Sequence, residues 1–184
     1  EHKLIDHHTY VIASDGDLME GVSAEAASLA VTLKLGKLIV LYDDNSITIE
    51  GSTDLAFTED VGKRFEAYGW HVLEVTDGND CSAISRALDE AKARDDRPSL
   101  IKVKTIIGYG SPKADTAAVH GAPLGSEGAS ETYEFLNWDS SDPFTVAEDL
   151  TEWFREKELL LGQAEEEWLD VYKAWQLANP GQAK

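Results

Sequence analysis

The sequence lacks the features that mark several large classes of protein. Its 184 residues contain one cysteine, Cys81, so no disulfide can form within the chain. This favours a reducing compartment, and we expect a cytoplasmic location. No apolar run approaches the roughly 20 residues that span a bilayer, and we expect no signal peptide. We therefore expect no membrane partner.

Positive charge is scarce. The chain carries 16 Lys and Arg against 35 Asp and Glu, which gives a formal charge of −19. A field of that sign repels nucleic acid and anionic membranes, so we expect no nucleic-acid partner. An anionic cofactor remains compatible with it if a metal ion neutralises the phosphates locally.

Methionine occurs only once, at Met19, and the chain begins at Glu1. We therefore expect a piece of a longer protein, in which an active site would be incomplete.

The 42% apolar content is ordinary for a globular protein and supports a substantial core. One principal domain with an appendage is expected.

Short apolar runs alternate with segments of helical periodicity along most of the chain. The predicted strands are Thr9–Ala13, Leu38–Tyr42, Trp70–Val75 and Ser99–Lys104. The predicted helices are Glu20–Leu35, Glu59–Tyr68 and Ser82–Arg94, with Asp80 capping the last. This alternation predicts an α/β fold, doubly wound, with a mainly parallel sheet and flanking helices.

The remainder of the chain follows a different pattern. From Thr105 to Gly128 the periodicity vanishes and glycine is frequent, which predicts a functional or mobile loop. The later residues are acidic and rich in tryptophan, and their apolar stripe predicts a helical tail that Gly162 divides in two. We predict one domain over residues 1–142 and the tail over 143–184.

Two polar motifs follow the first two predicted strands. Asp15 lies in SDG and Asn45 closes YDDN. The carboxyl ends of parallel strands meet at one edge of a sheet, where these oxygens and the Ile47 carbonyl suit magnesium. Gly16 has no Cβ, so a diphosphate could approach its backbone. Each motif alone is more often a simple turn, but their matched placement favours a metal–diphosphate site.

These motifs also resemble a known fingerprint. SDGDLMEG followed by YDDNSITIEG resembles the thiamine diphosphate fingerprint, which runs from Gly-Asp-Gly to a later asparagine. The segments DHHTYVIASDGDLMEG, KLGKLIVLYDDN, RFEAYGWHV, PSLIKVKTIIGYGSP and HGAPLG resemble one family in particular, transketolase. The match runs in order from about Asp6 to Gly125. The tail from Asn137 resembles, more loosely, the helical stretch that follows the family's diphosphate-binding domain.

The resemblance implies a cofactor and its ligands. Thiamine diphosphate would bind with magnesium, for which calcium or manganese are possible substitutes. Asp15, Asn45 and the Ile47 carbonyl would hold the metal ion. Gly16 and Asn45 would contact the diphosphate, while Ile47 and Ile49 would lie near the thiazolium ring.

The resemblance also implies roles outside the metal site. His120, in HGAPLG, would be catalytic, facing the diphosphate and the reacting carbon and helping to bind the sugar. Glu20 and Glu25 would belong to an acidic cluster at the subunit interface that links paired cofactor sites. Ser14 replaces the first glycine of the fingerprint, which we expect to be tolerated unless the position needs positive φ. The loop SPKADTAAVHG lacks the glycine expected before the histidine.

The implied activity transfers a two-carbon ketol group from a ketose phosphate to an aldose phosphate, in the pentose phosphate pathway and in a homodimer. Nothing in the chain resembles the pyrimidine-binding domain that carries the family's cofactor-activating glutamate. We therefore expect a missing domain or subunit as partner, sugar phosphates as substrates, and no activity from this chain alone. The alternatives are the N-terminal subunit of a split transketolase or a dihydroxyacetone synthase-like enzyme, and a non-catalytic α/β interaction module whose turns imitate the fingerprint.

Overall fold

A computed structural model describes residues 3–139 and 144–183. The chain divides into two compact units, of which one is His8–Asp139 and the other combines the residues before and after it. The predicted boundary between residues 142 and 143 lies outside the described residues, so the division into 1–142 and 143–184 stays a prediction. Within the described ranges, no helix has both the length and the apolar character needed to cross a bilayer.

Strands and helices alternate along His8–Asp139. The strands are β1 (Thr9–Ser14), β2 (Leu38–Asp44), β3 (Ile47–Thr48), β4 (Gly51–Ser52), β5 (His71–Val75) and β6 (Ser99–Lys104). The helices are α1 (Asp15–Met19), α2 (Gly21–Thr32), α3 (Val61–Tyr68), α4 (Cys81–Lys92) and α5 (Gly125–Phe135), and the second unit contains α6 (Glu148–Ala178).

The main sheet has the strand order β1-β2-β6-β5, and every neighbouring pair in it is parallel. Because successive strand residues point to opposite faces, Val40 and Ile39 of β2 enter different core clusters. Helices α2 and α3 contribute to the cluster that contains Val40, and α4 contributes to the one that contains Ile39. The sheet is therefore covered on both faces, and the predicted doubly wound α/β fold is confirmed.

Local signals in the sequence set several helix ends. The Asp80 carboxylate accepts a hydrogen bond from the Ala83 N–H at 2.9 Å and so caps α4, as predicted. Gly69 ends α3 with a left-handed φ of 97°, which glycine adopts without a Cβ penalty. The next residue, Trp70, donates its indole N–H to the Ala27 carbonyl of α2 at 2.9 Å. Its ring also packs edge-on against Phe65 of α3, which ties both helices to this face of the sheet.

Three local expectations were wrong. The connection expected over Gly16–Gly21 contains helix α1, because the Ser14 backbone N–H and hydroxyl both donate to the Asp17 carboxylate and stabilise its first turn. The predicted loop at Thr105–Gly128 contains a 3-10 turn at Ala117–Val119 and the start of α5. Gly162 does not divide α6, since the strong helix formers around it outweigh a glycine cost of about 1 kcal/mol.

The second unit contains the predicted helical tail. Trp168 of α6 donates its indole N–H to the Leu4 carbonyl at 2.9 Å, which anchors the residues that precede β1. The rings of Trp168, Tyr172 and Trp175 stack along the same helix. Trp168 thus anchors the residues before β1, although no residue of α6 is buried and Trp153 and Trp168 are both exposed.

Gly36 provides a test of the turn between α2 and β2. A Cβ at this position would overlap the backbone carbonyl of Asp95, so we expect Gly36→Ala to lower the free energy of unfolding by about 3 kcal/mol. Gly21→Ala is the matched control, because a Cβ there meets nothing within 4 Å. Urea unfolding followed by circular dichroism measures both variants, and equal midpoints would contradict the overlap.

Candidate cofactor site

A cleft of about 620 Å³ opens at the carboxyl ends of β1 and β2. Most of the residues that the sequence predicts for the site line this one cleft: Gly16, Glu20, Asn45, Ile47, Ile49 and His120. They come from α1, from the residues after β2 and from the loop after β6. The structure thus brings together residues that lie far apart in the chain, but Asp15 is not among those that line the cleft.

A short hairpin forms one wall of the cleft. The Asn45 amide oxygen accepts the Ile47 N–H at 2.9 Å, an Asx turn that reverses the chain after β2. Ser46, between them, has a left-handed φ of 61°. The antiparallel pairing of β3 with β4 follows at once, with Ile47 opposite Ser52. This turn brings Ile47 and Ile49 to the cleft, where the resemblance implies a thiazolium ring.

Asp15 lies at the start of α1 and is 2% exposed. Its Oδ1 accepts a hydrogen bond from the Tyr42 hydroxyl at 2.5 Å, and its Oδ2 accepts one from the Ser46 N–H at 3.0 Å. It lines a second cavity of about 240 Å³, together with Tyr42, Asp44, Ser46 and Lys102. The carboxylate therefore lies beside the hairpin that carries Asn45 while facing a cavity other than the cleft.

Burial shifts the pKa values of Asp15 and Tyr42. Burial raises the pKa of Asp15 above its ordinary value, although the hydrogen bond from Tyr42 opposes this, and the charge of Asp44 adds to the rise. Burial also raises the pKa of the Tyr42 hydroxyl strongly, with the bond to Asp15 adding to it, so Tyr42 remains a neutral donor. The hydrogen-bond donors to the Asp15 carboxylate are the Tyr42 hydroxyl and the backbone N–H groups of Ser46 and Asn45, all of them neutral. A buried carboxylate is best stabilised by a cation, and a metal ion would supply one.

The two departures from the fingerprint differ in backbone conformation. Ser14 is extended, with φ −105° and ψ 177°, so serine needs no left-handed conformation there, which is the condition on which its tolerance was expected. The loop SPKADTAAVHG, which lacks the expected glycine, contains Asp115 with a left-handed φ of 61°, a conformation that glycine adopts more readily. His120 of the same loop has φ −74°, is exposed and reaches the cleft.

Two functional candidates were missed by sequence reasoning. Tyr42 was assigned to a strand without a role, and Ser46 had none. A tyrosine in a buried strand needs a partner for its hydroxyl, which was the available signal. The parallel register pairs Tyr42 with Ala13, two residues before Asp15, and this identifies the partner.

The acidic residues alone do not form a metal site. In the part of the chain that the structure describes, no group of three or more His, Cys, Asp or Glu side chains could hold a metal ion. Glu20 precedes α2 and lines the cleft, whereas Glu25 is exposed on α2 itself.

Comparison with known proteins agrees with this geometry. Residues 1–184 match a family model described as transketolase, thiamine diphosphate binding domain. The chain is 55% identical to a transketolase of Nostoc sp. over 183 residues, which is 98% of this chain and 27% of that protein. It is 48% identical to transketolase 1 of Escherichia coli over 184 residues, 99% of this chain and 27% of that one.

Solved structures give the same result. A transketolase from Leishmania mexicana superposes with a TM-score of 0.91 at 40% identity, covering 97% of this chain and 27% of that one. A transketolase from Campylobacter jejuni gives 0.87 at 40% identity, covering 93% and 27%. The chain thus spans 27% of the length of each of these relatives. Sequence and fold agree over nearly all its residues, and the chain belongs to the transketolase family, matching its thiamine diphosphate binding domain.

Proposed function

We propose that this chain binds thiamine diphosphate through a magnesium ion and supplies the diphosphate-binding half of a transketolase active site. The observation that carries the proposal is the cleft at the carboxyl end of the sheet, where Gly16, Asn45, Ile47 and His120 meet. Ligands of open α/β sheets bind at this edge. Membership of the transketolase family supports the choice of cofactor.

The donor set suits magnesium. Asn45 offers an amide oxygen, Ile47 a backbone carbonyl and Asp15 a carboxylate, all of them hard oxygen ligands. The Asp15 carboxylate accepts hydrogen bonds from Tyr42, Ser46 and the Asn45 backbone, and a remaining lone pair would be offered to an ion. Calcium and manganese accept oxygen ligands too, so we propose them as substitutes.

A cation is also needed to bring a diphosphate into this cleft. Its lining carries the carboxylates of Asp17, Glu20, Asp43 and Glu50, which would repel a diphosphate that arrived alone. A methyl group added to Gly16 would meet nothing within 4 Å, so the backbone of this residue is open to close approach.

The remaining residues would bind and orient the reactants. A bound thiamine diphosphate would supply the carbanion chemistry that breaks and forms carbon–carbon bonds in ketol transfer. His120 is exposed in the cleft, where its imidazole would donate a hydrogen bond to developing negative charge and to the sugar. Ile47 and Ile49 would provide an apolar wall beside the ring. The substrates would be a ketose phosphate and an aldose phosphate.

A further domain or subunit would complete the site. Helix α2 and its C-cap residue Leu33 expose Val22, Leu29 and Leu33 along one stripe, each 56–67% accessible, and an apolar surface of this kind marks a contact region. Glu25 lies on the same stripe by helical spacing, consistent with an acidic cluster at a subunit interface. We propose that the whole protein is a homodimer in which a pyrimidine-binding domain supplies the activating glutamate, acting in the pentose phosphate pathway of the cytoplasm.

Calorimetry tests the metal-dependent binding. Thiamine diphosphate should bind the chain, alone or with a pyrimidine-binding domain supplied separately, only when magnesium is present. Asp15→Ala should weaken this binding at least about a hundredfold, because it removes a charged metal ligand. Asp89→Ala is the control, because Asp89 is an exposed carboxylate of α4 that lines neither the cleft nor the cavity of Asp15. Metal-independent binding, or equal affinity in both variants, would contradict the proposal.

Gly16→Ala separates binding from folding. A Cβ at Gly16 meets no protein atom within 4 Å, so thermal unfolding should remain close to that of the parent chain. The added methyl group would enter the space proposed for the diphosphate, and thiamine diphosphate affinity should fall about tenfold or more. An unchanged affinity in the same titration would place the diphosphate elsewhere.

Ketol transfer should require both halves of the site. The 184-residue chain alone should show no transfer from a ketose phosphate to an aldose phosphate in a coupled assay. Adding a pyrimidine-binding domain as a second chain should restore transfer, and His120→Ala should reduce the restored rate by about a hundredfold. Transfer by the chain alone would refute the incomplete site, while binding without restored activity would favour a different thiamine enzyme.

A further inference from the structure

We propose that Thr105 is a positioning residue for His120: its hydroxyl, donated to the Asp43 carboxylate, tethers the loop that carries the histidine to the end of β2. Thr105 itself is not among the residues that line the cleft, so it acts through the loop. The inference rests on the proposed function, because it concerns the side chain that would stabilise charge during ketol transfer.

The Thr105 side chain is held on two sides. Its hydroxyl donates a hydrogen bond to Oδ1 of Asp43, which lines the cleft near the carboxyl end of β2. Its methyl carbon would lie 2.8 Å from a Cβ placed on Gly78, so the turn between β5 and α4 leaves room for this methyl group because position 78 is glycine. Threonine has few χ1 rotamers, and these two contacts on different substituents of its Cβ select one of them.

Thr105 lies where the sheet ends and the loop begins. Its backbone N–H donates to the Asp44 carbonyl at 3.1 Å, directly after the paired residues Lys104 and Asp44. The Gly78 N–H donates to the Lys104 carbonyl at 2.8 Å and holds the same point from the other side. A side-chain contact made here sets the direction in which the loop leaves the sheet.

The loop closes on itself before it reaches His120. The Ile107 carbonyl accepts the Asp115 N–H at 3.0 Å, and Ile107 also lines the cleft. A Cβ on Gly108 would lie 2.8 Å from Cγ2 of Val119, the residue directly before His120. The two arms of the loop therefore pack against each other, and a shift where the loop leaves β6 would be carried to the histidine.

The tether should matter more for catalysis than for cofactor binding. The proposed ligands of the metal ion and the diphosphate lie instead on α1 and directly after β2: Asp15, Gly16, Asn45 and Ile47. His120 depends on the loop, and a misplacement of about 1 Å can cost on the order of a hundredfold in rate. Loss of the tether should therefore lower kcat while the affinity for thiamine diphosphate changes little.

Hydrogen exchange of the chain without cofactor, followed by NMR, tests the tether itself. Thr105→Val keeps the branched shape but removes the hydroxyl, so the Asp115 amide should exchange about tenfold faster. Thr105→Ser keeps the hydroxyl and should stay within about threefold of the parent rate. The amides of β6 should keep their parent rates in both variants, which shows that the sheet is intact.

Thr76→Val is the matched control. It makes the same chemical change at an exposed threonine that follows β5 as Thr105 follows β6, and it lies outside the cleft. It should leave the exchange of the Asp115 amide at the parent rate. An unchanged rate in Thr105→Val, or an equal rise in the control, would overturn the tether.

Ketol transfer tests the link to His120, with the pyrimidine-binding domain supplied as a second chain. Thr105→Val should lower kcat about tenfold and change the dissociation constant of thiamine diphosphate less than about threefold, and Thr105→Ser should restore most of the rate. In a His120→Ala background, Thr105→Val should change kcat less than about twofold, because the group that it positions is gone.

The outcomes separate this proposal from the proposed function. A tenfold fall of kcat that persists in the His120→Ala background would overturn the positioning of His120. A loss of cofactor affinity as large as the loss of rate would overturn it too, since the tether would then serve binding. No binding of thiamine diphosphate by the parent chain with its second domain would overturn the proposed function and the catalytic role of Thr105 with it.

Discussion

The parallel pairing of β1 with β2 is the constraint on which the rest of the site depends. Its register sets Ser14 opposite Asp43, so both strands end at the same level of the sheet. Asp15 and Asn45 follow these ends directly, and the hydrogen bonds of Tyr42 and Ser46 to Asp15 are possible only in this register. A slip of one residue would turn the Tyr42 ring to the opposite face of the sheet and remove its hydroxyl from the carboxylate.

Much of this arrangement could be predicted because it follows from local rules. Apolar runs and helical periodicity identified the strands and helices of the sheet, and Asp80 was recognisable as a helix cap before its bond to Ala83 was known. Asp15 and Asn45 were predictable as neighbours because parallel strands carry their carboxyl ends to one edge. The family resemblance added His120, whose distance along the chain hides its presence in the same cleft.

The other features of the site depend on contacts between residues far apart in the chain, which no local sequence pattern predicts. Tyr42 looks like any other aromatic residue of a buried strand, and its partner is defined only by the pairing of β1 with β2. The direction of the Asp15 side chain was equally hidden, since its motif places the residue but not the cavity it faces. Gly162 illustrates the opposite case, where a rule about one residue was outweighed by the helix formers on either side.

The exposed edge strand β1 affects how the purified chain behaves in solution. Strand β1 ends the order β1-β2-β6-β5, and in the described residues nothing pairs with its outer side. Its Ile12 side chain is 80% exposed and Tyr10 51%. A free, apolar edge is a template on which a second strand can add. When the chain is purified alone, we expect this edge to be where copies first associate, against the repulsion of its formal charge of −19.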